Sequence, residues 1–410
     1  MNNYSINDWA MSSLGEVAEI KTGKLDSNCA QEGGKYPFFT CAPNPLRIND
    51  YSFDNEAILL AGNNADGIFH LNYYNGKFDA YQRTYVITAK NHDALDLRYL
   101  FYYLQLSLNL MQNYSQGTAT KFLTMKILCD LDVALPPVGI QKKISKALSD
   151  IDNKIKNNQR MNEILEAVGG AVFKHWFVDF DFPNQEGKPY KSSGGKMVES
   201  DLGPIPIDWE AIELKEIADI ANKAINPQEF SSRLFYHYSI PAYDEKESPV
   251  LNKGAEIKSI KYLIDNESVL LSKLNPEIPR IWLPFMKMTD GKAICSTEFI
   301  VYKPKKDIDR VFIHCLIKTE RFSDFFLSLV TGSTGSRQRV PPKDTLIYKL
   351  ALPKDRRIIN HLCDIIGPLY KKRGLNITQQ GTLSETRDSL LPKLMSGKIR
   401  VPNDNTWRVE

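Results

Sequence analysis

Two loops carry the side chains whose types and spacing could meet a nucleic acid. The first, QGTATKF, covers residues 116–122, and the second, TGSTGSRQRV, covers residues 331–340. Glycine lets a backbone approach a phosphate closely, and successive N–H groups then cradle it. Thr118, Thr120 and Lys121 in the first loop supply hydroxyls and a cation. Ser333, Thr334, Ser336, Arg337, Gln338 and Arg339 do so in the second. Arginine and glutamine also present the donor pairs that read guanine or adenine edges, so Arg337, Gln338 and Arg339 are candidates for specifying as well as positioning. A solvated surface loop has the same composition. Each loop, however, precedes an Ala-Leu-Pro, at Ala134 and at Ala351, and that recurrence leaves the two explanations balanced.

A second pair of segments follows a buried strand. AGNNADG (61–67) offers Asn63 and Asn64, and SKLNPEIPR (272–280) offers Lys273, Asn275 and Arg280. Their divergence suits two readers of different sequences, and drift of an unimportant loop explains it equally well. Lys21, Lys24, Tyr81, Gln82 and Arg83 complete the candidate DNA-binding set and are open to the same two explanations.

Motifs for catalysis are missing. Gly194-Gly195-Lys196 is followed by Met197, which fails the phosphate-loop pattern. Gly332-Ser333-Thr334-Gly335 has the wrong spacing for a nucleophile elbow. No histidine among positions 70, 92, 175, 237, 314 and 361 has the glutamate spacing of a zinc hydrolase. His314-Cys315 lies in an apolar run and is expected in the core. Asn44-Pro45-Leu46 is a turn and not an adenine-methyltransferase signature. No metal site and no cofactor of the chain's own is indicated. These residues imply a binding protein that does no chemistry by itself.

The elements that must position those loops come in two copies. Trp9 and Leu14 match Trp209 and Leu214 at a separation of 200 residues; AILLAGNNA from Ala57 matches SVLLSKLNP from Ser268 at 211. Tyr85 aligns with Phe299 at 214, GTATKF with GSRQRV at 218, and the two Ala-Leu-Pro runs at 217. Matches in one order at a drifting offset mark an internal duplication of about 200 residues. Each copy reads as mixed α/β (α+β): strands at 57–61, 81–88 and 131–135, and at 269–272, 299–303 and 346–352, surround a helix at 97–111 or 310–329. At 42% hydrophobic and 25% charged over 410 residues, the chain is an ordinary soluble one with room for two or three domains. No apolar run long enough to span a bilayer and no basic-then-apolar leader is present, so a cytoplasmic location is expected. Six separated cysteines suggest neither zinc nor disulfides. A net charge of +3 and a pI near 8.3 are modest for a chain that holds nucleic acid alone, which places any basic surface locally or on a partner.

After each globular part comes a heptad seam. Ile144, Leu148, Ile151 and Ile155 recur in steps of four and three, followed by Asn162, and Ile358, Leu362, Ile365, Leu369 and Asn376 repeat them 214 residues later. If helical throughout, residues 140–182 would extend about 60 Å. The second stretch contains Gly367-Pro368, Gly374, Gly381 and Pro392, which predict a kink or break. The resulting division is 1–139 first domain, 140–183 first helix, 184–206 polar linker, 207–353 second domain, 354–397 second helix, and 398–410 a short strand and tail. Packed antiparallel as a coiled coil, the helices would set the domains in pseudo-twofold relation. Asn158, Asn162 and Asn376 would then mark register or lie exposed, two readings that stand level.

The tandem plan resembles a known family. LGEVAEIKTGK opens the first copy, ALPPVGIQKKI closes its globular part, and FKHWFVDFDF ends its helix; LGPIPIDW, ALPKDRRII and LLPKLMSGKIRV follow in the second copy. The whole resembles the specificity (S) subunit of type I restriction–modification systems. The resemblance implies two target-recognition domains, each reading one half of a split, asymmetric duplex DNA site. It also implies spacer helices that dock two methyltransferase subunits, and restriction/translocase subunits that complete the complex. S-adenosylmethionine, Mg and ATP would be bound by those partners. Two alternatives from other classes are a free-standing methyltransferase fragment and a coiled-coil adaptor whose duplicated domains bind protein.

Overall fold

A computed structural model describes residues 9–64, 69–114, 121–285, 292–332 and 338–401. The chain divides into two compact units: unit 1 holds Met1–Lys154 with Leu383–Glu410, and unit 2 holds Ile155–Thr382.

Unit 1 is built on a strand buried on both faces. In Phe53–Ala61, Ile58 and Leu60 pack with Ile87, Leu100 and Leu104, while Ala57 and Leu59 face Phe39, Phe78 and Val86. Burial on both sides is why this segment is continuously apolar instead of alternating. Six strands form the sheet in the order Ala18–Thr22, Thr84–Ala89, Phe53–Ala61, Leu71–Ala80, Tyr36–Phe39, Leu46–Ile48. Helix Leu97–Tyr114 covers one face, and the Asp96 carboxylate accepts from the Tyr99 N–H at its start (2.7 Å). Unit 2 repeats the sheet centre as Ala218–Ala221, Phe299–Pro304, Val269–Ser272, Ile281–Trp282. Its outer strands form a separate five-stranded sheet, Ala224–Ile225, Lys261–Ile264, Lys292–Ser296, Leu234–Tyr238, Val250–Lys253, whose last four pair in the same senses as Phe53–Ala61, Leu71–Ala80, Tyr36–Phe39 and Leu46–Ile48. Both units are mixed helix and strand. Among the described residues no helix is long and apolar enough to cross a membrane.

The duplication is visible bond by bond. Ala10 pairs with Leu135 and Glu210 with Leu352; Ala18 pairs with Ala89 and Ala218 with Pro304. The Leu14 N–H donates to Leu131 O, and the Leu214 N–H to Tyr348 O, both at 2.8 Å. Lys90 Nζ donates to Gly15 O at 2.5 Å, and Lys305 Nζ to Lys215 O at 2.6 Å. The same pairings correct one alignment: Ala61 faces Thr84 and Ser272 faces Phe299, so Phe299 corresponds to Thr84, and Tyr85 to Ile300. A shift of one residue matters on a strand because it moves a side chain to the other face.

The two long helices are Val138–Phe177 and Arg357–Met395. The second is continuous, contrary to the break expected from its glycines and prolines. Burial of Ile359, Leu362, Ile366 and Tyr370 in the core of unit 2 holds it together against a local cost of about 3 kcal/mol for an interior proline. Gly374 serves packing: a Cβ there would lie 2.4 Å from Cγ of Phe285. Gly374→Ala is therefore expected to destabilise unit 2 by about 1–3 kcal/mol despite alanine's better helix propensity. Gly381→Ala, which meets open space, is expected to stabilise by up to about 1 kcal/mol. Denaturant unfolding of the full chain checks both signs.

Pairing of the helices is antiparallel in each unit. In unit 1, Ile144 and Leu148 pack with Leu391, Leu394 and Met395, and Arg387 donates to Asp152 at 2.9 Å. In unit 2, Asn158 Nδ2 donates to Gln379 Oε1 (2.8 Å), Asn376 Nδ2 donates to Asn162 Oδ1 (2.9 Å), and the Trp176 ring lies 5.2 Å from His361. Asn162 and Asn376 are both buried. They are also counterparts in the duplication, so their contact marks a local twofold axis of the pair. Other seam positions shift: Ile365 is 43% exposed, Ile151, Ile155, Ile358 and Leu369 are half-buried, and Ile359 and Ile366 take the buried places. The reason is that the second helix buries a flank against Phe312, Ile313 and Leu352 as well as its seam.

Residues 184–206, expected as a loose linker, fold onto unit 2. Phe182 stacks on Tyr190 (4.7 Å) and on Trp209 (5.1 Å), and Ile205 is buried. Residues 396–401 form turns where a strand was expected, with the Ile399 N–H donating to Lys393 O.

Candidate nucleic-acid interface

In unit 1 three of the candidate segments meet at one end of the sheet. The Gly62 N–H donates to Arg83 O, and Gly62 O accepts from the Leu123 N–H, both at 2.8 Å. Asn63 and Asn64 form a short antiparallel ladder with Phe122 and Lys121. The Gln82 N–H donates to Leu25 O (2.9 Å), which brings the turn after Lys24 alongside. At Gly62 a Cβ would lie 2.5 Å from Arg83 O, so a side chain here requires the strand end to shift. Lys24, Gln82 and Arg83 are exposed on the rim, and Tyr81 is half-buried. Lys21 also faces solvent but pairs with Glu19 at 2.9 Å. Two neighbours escaped the sequence reading: Cys41 Sγ donates to Asn63 Oδ1 (2.8 Å), and the Asp26 carboxylate accepts from Gln82 Nε2 (3.4 Å). Nothing in residue type or spacing marks either of them.

Unit 2 makes the same junction with other side chains. The Lys273 N–H donates to Glu298 O (2.9 Å), Lys273 O accepts from the Val340 N–H (3.1 Å), and the Asn275 N–H donates to Gln338 O (3.2 Å). Leu274 and Thr331 both bridge to Arg339. Asn275 turns the chain at φ +49°, a left-handed conformation that asparagine tolerates better than most residues. By these bonds Glu298 occupies the place of Arg83. Its carboxylate binds Arg339 through Nε (3.1 Å) and Nη2 (3.3 Å). Glu298 was not among the candidates, and the strand alignment corrected above is the signal that finds it.

Arg280 does not belong to this surface. It is buried, and its Nε and Nη2 bind the two carboxylate oxygens of Asp244 at 2.6 and 2.8 Å. Exposing it would leave a carboxylate unpaired, so its role is to fasten the loop. Thr118, Thr120, Ser333, Thr334, Ser336 and Arg337 lie outside the described residues. His314 and Cys315 are core residues, as expected.

Comparison with known proteins finds one family twice along the chain. The sequence model of the type I restriction modification DNA specificity domain matches residues 6–167 and 206–339, together most of the chain. The EcoDI specificity subunit of Escherichia coli is 28% identical over 357 residues, covering 82% of this chain and 74% of the relative. The MjaVIII specificity subunit of Methanocaldococcus jannaschii is 26% identical over 432 residues, covering 97% and 94%. Among solved structures, the S subunit of the type I restriction-modification system of M. genitalium shares the fold with a TM-score of 0.64 at 15% identity, covering 94% of this chain and 96% of that one. With two tandem matches falling on two copies of one hydrogen-bonded junction, the chain belongs to the type I restriction–modification DNA specificity family.

Proposed function

We propose that this chain is the DNA-recognition subunit of a type I restriction–modification complex, and that each unit reads one half of a bipartite, asymmetric site. The observation that carries the reading is the junction built twice with the same backbone bonds and different side chains. Unit 1 presents Asn63, Gln82 and Arg83 where unit 2 presents Leu274 and a Glu298–Arg339 pair. One scaffold with two surface chemistries is what a single chain needs to read two unlike half-sites without dimerising. Half-sites met on one face of B-DNA lie about 34 Å apart per turn, a span that helices of 40 and 39 residues can bridge.

Two methyltransferase subunits are the partners this reading assigns to the helices, where Met161, Ile164 and Val168 form an exposed apolar stripe and Leu375, the counterpart of Met161, is exposed as well. Restriction/translocase subunits would complete the complex. S-adenosylmethionine, Mg and ATP would be bound by those partners, the site of action would be cytoplasmic DNA, and partner contacts would supplement the modest charge of this chain. The test is duplex binding by the chain with its methyltransferase partner. Arg83→Ala is expected to weaken binding and lower the salt slope by about one. Unchanged affinity and slope would remove Arg83 from the interface, and no salt-dependent retention of DNA by the wild type would favour the adaptor alternative.

A further inference from the structure

Unit 2 contains an ion cluster that neither DNA reading nor the apolar core requires. Glu166, on the first long helix, accepts from Lys318 Nζ (2.6 Å), His314 Nε2 (3.3 Å) and the Tyr370 hydroxyl (3.4 Å), and its second oxygen lies 3.1 Å from Arg373 Nε. Arg373, on the second long helix, reaches on through Nη2 to Glu247 at 2.5 Å. One carboxylate thus joins both long helices to helix Arg310–Ile317 and to the end of helix Ile240–Lys246, both in the globular part of unit 2. Burial works to raise the Glu166 carboxyl, but the hydrogen bond from His314, with the charges of Lys318 and Arg373, outweighs it and holds it well below the usual carboxylate range. Burial also depresses the His314 imidazole, and Glu166 offsets this only in part. A neutral imidazole with its proton on Nε2 fits, because buried Nδ1 has no partner among the described residues.

Such a cluster is an uneconomical way to stabilise a fold, because desolvating the charges consumes most of their attraction; its strength is geometric, since misplacing one member strands a charge. It is also specific to one copy. At the offset of 214 that relates the two helices, Glu166 corresponds to Gln380 and Arg373 to Gln159, both uncharged amides.

We propose that Glu166 is a positioning residue for DNA recognition: it fixes the angle at which the second recognition domain is carried by the helix pair, and so the gap between half-sites that the complex accepts. This rests on the bipartite reading above. The test is Glu166→Gln in the full chain, assembled with its methyltransferase, with modified adenines mapped genome-wide. Both half-site sequences are expected to persist, while methylation at sites with a gap one base pair longer or shorter rises about tenfold or more, the scale of losing a charged hydrogen bond. Glu247→Gln, which cuts the outer end of the cluster and leaves Glu166 with Arg373, is expected to give a smaller rise, and it decides the matter if Glu166→Gln does not fold. Wild-type gaps in folded Glu166→Gln, or in Glu247→Gln where that variant decides, would overturn the proposal. A wild-type map without any bipartite motif would instead refute the bipartite reading.

Discussion

A chimera in which another family member's first recognition domain replaces residues 1–139 is expected to direct methylation to a site with one half exchanged and with the other half and the gap intact. Methylation of the original site should fall to background, because each mismatched base pair costs about 1–3 kcal/mol and a half-site contains several. The physical basis is that Asn63, Asn64, Tyr81, Gln82, Arg83 and Lys121 all precede the cut and are tied to one another through backbone bonds. The hydrogen bonds that seat the domain on its helix also reach mostly backbone, beside an apolar contact of Tyr99 and Tyr102 with Ile144 and Leu148. Gln141, buried at the start of the first long helix, accepts from the Asp96 N–H (2.9 Å) and donates to Ala94 O (3.0 Å) and Pro136 O (2.8 Å). Any donor with the same fold supplies those atoms. Tyr102 is the exception, since its hydroxyl donates to Asp152 (2.6 Å), which Arg387 also holds. A donor without that hydroxyl should therefore lose about 1–3 kcal/mol without a change in the site read. Mapping modified adenines in a host carrying the chimera checks the prediction, and an exchange in both halves would sink the idea of independent readers.

The sequence made the duplication legible because insertions between the copies are short and Trp9, Leu14 and the Ala-Leu-Pro runs survive them. Strand centres such as 57–61 and 269–272 were legible for the same reason that they are central, namely burial on both faces. The five-stranded sheet of unit 2 was not, because its pairings repeat the outer strands of the first copy's sheet while its side chains have diverged. Arg280 was misplaced because a single sequence does not show that an arginine's partner is Asp244, 36 residues away. Continuity of the second helix was hidden by a conflict of levels: glycine and proline lower local propensity, and the packing that overrides them involves Phe285 and Phe312, which are distant in sequence. The seam was read one residue off at Ile365 because a heptad pattern presumes one partner, whereas this helix touches a partner helix and a domain.

Replacing Asn376 alone with leucine is expected to destabilise the protein by about 1–3 kcal/mol, because Asn162 keeps a buried amide with its partner gone. Asn162→Leu should cost about the same for the converse reason. The double variant should recover most of this loss or exceed the wild type, since an apolar pair leaves no polar group unsatisfied, so the double-mutant cycle will show strong coupling. Stability is not the principal loss. The amide pair stands where each helix meets its own counterpart, so sliding one helix along the other breaks it, together with Asn158–Gln379, at the first step. With leucines in place, a slip of one turn no longer strands a buried amide pair, as at the polar seam positions that fix coiled-coil register, and the contacts left to oppose it include Asn158–Gln379, Asp152–Arg387 and Glu166–Arg373. A turn is about 5.4 Å and a base pair about 3.4 Å, so a slipped register changes the separation of the readers by about one to two base pairs. The double variant is thus expected to be as stable as the wild type in denaturant and to methylate sites with more than one gap. Stability unchanged in both single variants, with a single gap in the double, would show that the pair fills space and sets no register.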